Sequence, residues 1–178
     1  WVWDVNDFHG APIGRGYRTA LGHGTFLEYI ETRDAPVSSW LIARDSTPGE
    51  TIWEKRVSLH DSLADIIIGP ERVHVVGVSG LYNERCDCWT NQFYVACLDV
   101  ASGALLWRDK RGGLGGDEEA RRAILTGRRL LVDGFDKQLR VYDAISGDLV
   151  EEIYDLTLRG RSVAIATEGG RFYALGEE

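Results

Sequence analysis

The chain has 178 residues, with 21 Gly, 4 Pro, 3 Cys and no Met, and 28 acidic against 20 basic side chains give a net charge of −8 at pH 7. A chain of this size buries one substantial core, and its acidic balance argues against nucleic acid or an anionic membrane as partner, because phosphates attract basic surfaces. No apolar run approaches the roughly 20 residues of a membrane helix, so the chain is expected to be soluble, without membrane insertion.

In chain order, residues 1–5 (Trp1-Val2-Trp3-Asp4-Val5) read as an isolated strand, and residues 19–30 as strand, Gly22 turn, strand. Trp40-Leu41-Ile42-Ala43-Arg44 then runs into Asp45, a short turn to Gly49, and the pair Ile52-Trp53. Residues 66–76 repeat the strand, turn and strand around Gly69, and Tyr94-Val95-Ala96-Cys97-Leu98 leads to Asp99, Gly103 and Leu106-Trp107. Residues 123–132, around Gly127, precede Gln138-Leu139-Arg140-Val141-Tyr142, Asp143, Gly147 and Val150, with Glu151 where Trp stood before. Residues 156–166, around Gly160, and Arg171-Phe172-Tyr173-Ala174-Leu175 begin a fourth unit in which Gly176 replaces the Asp.

The strand before each Asp carries a small or medium side chain two residues upstream (Ala43, Cys97, Val141, Ala174) and a larger one four upstream (Leu41, Val95, Leu139, Phe172), which is sheet spacing. In the turns that follow, Gly supplies a positive φ and Asp bonds the turn backbone, so each is a tight hairpin. The Asp positions lie 54 and 44 residues apart, near the roughly 40–50 of four-stranded propeller blades. A blade cannot bury both faces alone, and a Trp on the outermost strand suits docking on a neighbour, which makes Trp53 and Trp107 structural.

The fold expected is all-β: a β-propeller, or part of one, of about four four-stranded antiparallel blades in one domain. Blade 1 is expected at 16–57, blade 2 at 63–109, blade 3 at 120–153 and an incomplete blade 4 at 155–178, with 1–5 an orphan outer strand. That strand would complete blade 4 in a closed four-bladed ring; an excerpt of a six- to eight-bladed propeller, or self-association to complete one, is slightly preferred, since without any Met the natural start is missing or removed.

These residues resemble the quinoprotein-type, PQQ-like repeats of β-propellers, whose signature is Ala-hydrophobic-Asp, Gly, Leu-hydrophobic-Trp, with each Trp docked on the next blade. WD-type repeats are the nearest rival. The resemblance implies the fold but not an activity, because the family includes quinone-dependent alcohol dehydrogenases, a non-enzymatic outer-membrane assembly lipoprotein and interaction domains. The dehydrogenases use pyrroloquinoline quinone, calcium and an adjacent Cys pair. Here Asp87 separates Cys86 from Cys88 and no calcium motif matches, so no cofactor is expected.

Function is expected on the blade face bearing the long connections, at residues 7–16, 31–38, 79–91 and 110–119, because irregular loops on a rigid scaffold carry binding groups. Residues 79–91 read as a long loop containing Leu81-Tyr82-Asn83-Glu84-Arg85-Cys86-Asp87-Cys88-Trp89, and Tyr82, Arg85, Asp87 and Trp89 are the candidate binding residues, since Trp, Tyr and Arg dominate interface hot spots. Cys86 and Cys88, with His74 or Asp87, are weak zinc candidates because no second ligand pair accompanies them, and no metal is expected. His74, inside an apolar strand, reads as a packed histidine. Gly112-Gly113-Leu114-Gly115-Gly116 lacks the Lys-Ser/Thr of a phosphate loop and reads as a flexible crossover.

Asp45, Asp99 and Asp143 are assigned by their periodicity to turns, and no catalytic residue is expected. The reading is therefore a non-catalytic scaffold for a protein or peptide partner. Its alternatives are part of a quinone-dependent dehydrogenase whose catalytic groups lie outside this chain, or the docking part of a signalling protein. Compartment is open, with a slight lean to the cytoplasm from the unbridged loop thiols.

Overall fold

Hydrophobic alternation, broken at regular intervals by Asp-to-Gly turns, produces short strands that pair with their sequence neighbours. The computed structural model describes residues 18–32, 38–57, 61–84, 87–111, 120–134, 139–153, 163–168 and 171–176. Strands β1 (Arg18–Gly22), β2 (Thr25–Thr32), β3 (Ser38–Asp45) and β4 (Thr51–Val57) form the first sheet in that order. β5 (Asp61–Ile68), β6 (Arg72–Asn83), β7 (Cys88–Asp99) and β8 (Leu105–Arg111) form the second. β9 (Ala120–Thr126), β10 (Arg129–Gly134), β11 (Leu139–Asp143) and β12 (Leu149–Ile153) form the third, and β13 (Val163–Glu168) pairs with β14 (Arg171–Gly176). Every pairing is antiparallel. The first strands run side by side, β1 against β5 and β5 against β9, so the three sheets stack as blades about a shared inner edge. No helix among the described residues is long and apolar enough to cross a membrane.

The repeated Asp caps all three turns; the second and third share a Gly-to-Asp backbone bond, and the first instead carries a cis Thr47-Pro48 peptide. Asp45 Oδ1 accepts from the Thr47 amide at 2.8 Å, Asp99 Oδ1 from Ser102 N at 2.8 Å and Ser102 Oγ at 2.6 Å, and Asp143 Oδ1 from the Ile145 and Ser146 amides at 2.9 Å. Gly49, Gly103 and Gly147 take φ of 92°, 68° and 81°, a region that carries a steric cost for side chains. Each turn follows a register shift, at Ala43/Arg44, Cys97/Leu98 and Val141/Tyr142, and such bulges sharpen strand twist.

Leu27, Tyr29, Leu41, Ala43 and Trp53 of the first blade pack with Leu63, Ile66, Val73, Val75, Ala96 and Leu98 of the second. The second and third blades share Val76, Phe93, Val95, Ala123, Leu130, Val132, Tyr142 and Ala144. Trp53 Nε1 donates to the Val100 carbonyl at 2.7 Å, and its ring covers Gly103, where a Cβ would stand 2.7 Å from Cδ2. Trp107 repeats the contact one blade on: Nε1 reaches the Ala144 carbonyl at 3.3 Å, and a Cβ on Gly147 would lie 2.5 Å from the indole. Each indole thus seats on the Asp-to-Gly turn of the following blade. Polar groups cross the second seam too, with the Arg140 guanidinium 4.4 Å over the Phe93 ring and Asp65 Oδ2 accepting from the Ala123 amide at 3.0 Å. Cys97 is buried with a free thiol.

Candidate binding face

Two hairpin turns of each blade share one face, and backbone bonds tie them together. Ser46 N donates to Gly24 O at 2.9 Å, Val100 N to Glu71 O at 3.0 Å and Ala144 N to Arg128 O at 2.9 Å. Arg128 Nε also reaches Asp143 Oδ2 at 2.6 Å. This face is occupied with its own closure. Asp99 is held below the usual carboxylate value chiefly by the Ser102 hydroxyl and amide, and Asp143 chiefly by the Ser146 amide, with Ile145 and Arg128 adding to it. Asp45, Asp99 and Asp143, with Gly49, Gly103 and Gly147, all lie here.

Of the connections expected on the opposite face, residues 33–37 and 112–119 lie outside the described residues, as do 58–60, 135–138, 154–162, the candidate loop at 7–16 and the strand at 1–5. Between β6 and β7 the expected long loop at 79–91 is corrected. The two strands continue pairing through Gly80↔Asn91, Leu81↔Thr90, Tyr82↔Trp89 and Asn83↔Cys88, so only four residues, 84–87, connect them. Regular backbone pairing is available to nearly any sequence, and it wins here over the polar composition that suggested an irregular loop. β5 last pairs with β6 at Ser79 and β8 last pairs with β7 at Phe93, so this stretch projects as a two-stranded arm past both neighbours.

Of the candidate residues, Tyr82, Asp87 and Trp89 fall on the arm. Tyr82 and Trp89 stand directly opposite one another in register, a pairing that puts the two positions on one face of the ribbon. Asp87 is exposed and turns the chain with φ of 53°, while Arg85 and Cys86 lie outside the described residues. The arm's base is anchored by a contact between the two expected binding loops: Lys110 Nζ donates to buried Ser79 Oγ at 2.6 Å and sits 5.2 Å over the Tyr94 ring. Lys110 was legible as the start of a crossover aiding the binding face, but not as an anchor of the arm.

The arm also separates the zinc candidates. Cys88 pairs with Asn83, nine positions along β6 from His74, about 30 Å at roughly 3.3 Å per residue, so His74 cannot join it on one ion. His74 itself is buried. Among the described residues no group of three His, Cys, Asp or Glu side chains is placed to hold a metal.

No protein-family model matches the sequence, and no curated protein does. Solved structures do. A europium-containing methanol dehydrogenase is similar over 81% of this chain and 26% of its own, at 15% identity and a TM-score of 0.52. The quinohemoprotein alcohol dehydrogenase from Comamonas testosteroni matches over 80% of this chain and 21% of its own, at 15% identity and a TM-score of 0.53. The β-propeller domain of the Trilobed protease from Pyrococcus furiosus, described as having an open velcro topology, matches over 92% of this chain and 59% of its own, at 11% identity and a TM-score of 0.51. This chain spans less than two thirds of each of those chains. At such identities the likeness establishes the fold alone: an all-β partial β-propeller. Fold alone assigns no activity.

Proposed function

We propose that this chain is a non-catalytic propeller scaffold whose loop-rich face binds a protein or peptide partner through Tyr82, Arg85, Asp87 and Trp89. The observation that carries this reading is the β6–β7 arm, which runs four residue pairs past the last residues joined to β5 and β8. A two-stranded ribbon is marginal by itself and adds little to a blade's own stability, so a sequence that places Tyr and Trp opposite one another on it favours a recognition role. The rest of the chemistry is consistent with this: the repeated carboxylates are committed to turns on the other face. Replacing Arg85 and Trp89 together by Ala is expected to weaken partner capture at least tenfold, as loss of a hot spot does, and to leave thermal unfolding nearly unchanged. Unchanged capture contradicts the assignment.

A further inference from the structure

The repeat supplies an internal comparison. In each described blade the residue two before the turn Asp on the third strand is flanked across the sheet by one residue of the second strand and one of the fourth. Ala43 has Leu27 and Trp53, Cys97 has His74 and Trp107, and Val141 has Leu131 and Glu151. Two blades therefore use Leu where the second uses His. His74 is 1% exposed, its Nε2 lies 3.0 Å from the Ala144 carbonyl of the third blade, and its ring centroid is 5.8 Å from that of Trp107. The same carbonyl receives Trp107 Nε1. A carbonyl only accepts, so Nε2 carries the hydrogen and Nδ1 holds a bare lone pair, which makes no hydrogen bond.

We infer that His74 is an acid-sensitive latch on the seam between the second and third blades, closed while its imidazole is neutral and released when it is protonated. A proton on Nδ1 places a cation in a buried site with no acceptor, and burying an unpaired charge is costly. Nδ1 has no hydrogen-bond partner, and the charged groups on the elements packed against it are directed elsewhere. Arg72 on β6 repels the cation, Cys97 faces it from β7, and Asp99 is engaged by Ser102. Asp65 on β5 accepts from the Ile66 and Ala123 amides, Asp109 on β8 accepts from the Tyr142 hydroxyl, and Asp143 is taken by Arg128 and its turn. Desolvation therefore pushes the imidazole below its ordinary value of 6.5, opposed by the Ala144 bond and assisted by Arg72. Since the folded value is the lower one, the unfolded chain binds more protons below about pH 6.5, and stability falls as pH drops through that point.

The test is amide hydrogen exchange on the full chain at pH 7.5 and 5.5, corrected for intrinsic rates, in the wild type and in His74→Leu, the solution the other blades use. Protection at Val76, Leu130 and Ala144 is expected to fall by up to about tenfold at pH 5.5, one unit below the ordinary value, in the wild type and to stay level in His74→Leu. Leu27 and Ala43, on the other seam, should change little in either. His74→Gln, which keeps an amide donor for Ala144 and does not titrate, should behave as His74→Leu does. Equal acid loss in the wild type and both variants, or a His74 ring titrating near 6.5 in the folded protein, overturns the inference.

Discussion

Gly103 and Gly147 do two things that no other residue does at those positions. Each holds a positive φ and leaves the space that an indole from the preceding blade fills. Gly24 and Gly127 share the conformation, at φ of 76° and 57°, but nothing lies within 4 Å of a Cβ added there. Ala at Gly24 or Gly127 is therefore expected to cost about 1–2 kcal/mol, the strain of the left-handed region alone. Ala at Gly103 or Gly147 adds an overpacked contact of about 1–3 kcal/mol and should lower the urea midpoint roughly twice as far. The Asp and Gly of the repeat were legible because turn chemistry demands those residue types. The carbonyl acceptors at Val100 and Ala144 were not, since every residue carries one.

At the scale of elements, the strands before each Asp were readable from the alternation of large and small side chains, and Trp53 and Trp107 from their period. The β6–β7 arm was not. Its Gly80, Asn83 and Asp87 are turn and loop formers, and pairing across the ribbon is backbone chemistry that composition does not report. His74 was legible as a packed histidine, but its span to the next blade depends on the stacking of two sheets. Because the arm outruns β5 and β8, excising 81–90 and joining Gly80 to Asn91 through Asn-Gly should leave the thermal midpoint within a few degrees of wild type while abolishing partner binding. A large loss of stability would show that the arm is a structural part of the blade.

For the whole molecule, two acid responses are expected, in separate windows. Asp99 and Asp143 are depressed below their ordinary value of 3.8, so their stabilisation is present above that value and is lost as pH falls through the lower folded one. Asp99→Asn keeps an oxygen for the Ser102 amide and removes the charge, so it should flatten the stability profile below about pH 4 and leave the region near pH 6 unaltered. The two faces divide the labour under the proposed function: turns closed on themselves on one side, recognition on the other. Asp87 on the arm and Ser102 on the turn face are both exposed, so a photo-crosslinking residue can replace either. Crosslinking in the native setting should give a protein adduct from position 87 and none from position 102; an adduct from 102 alone would overturn that division of faces.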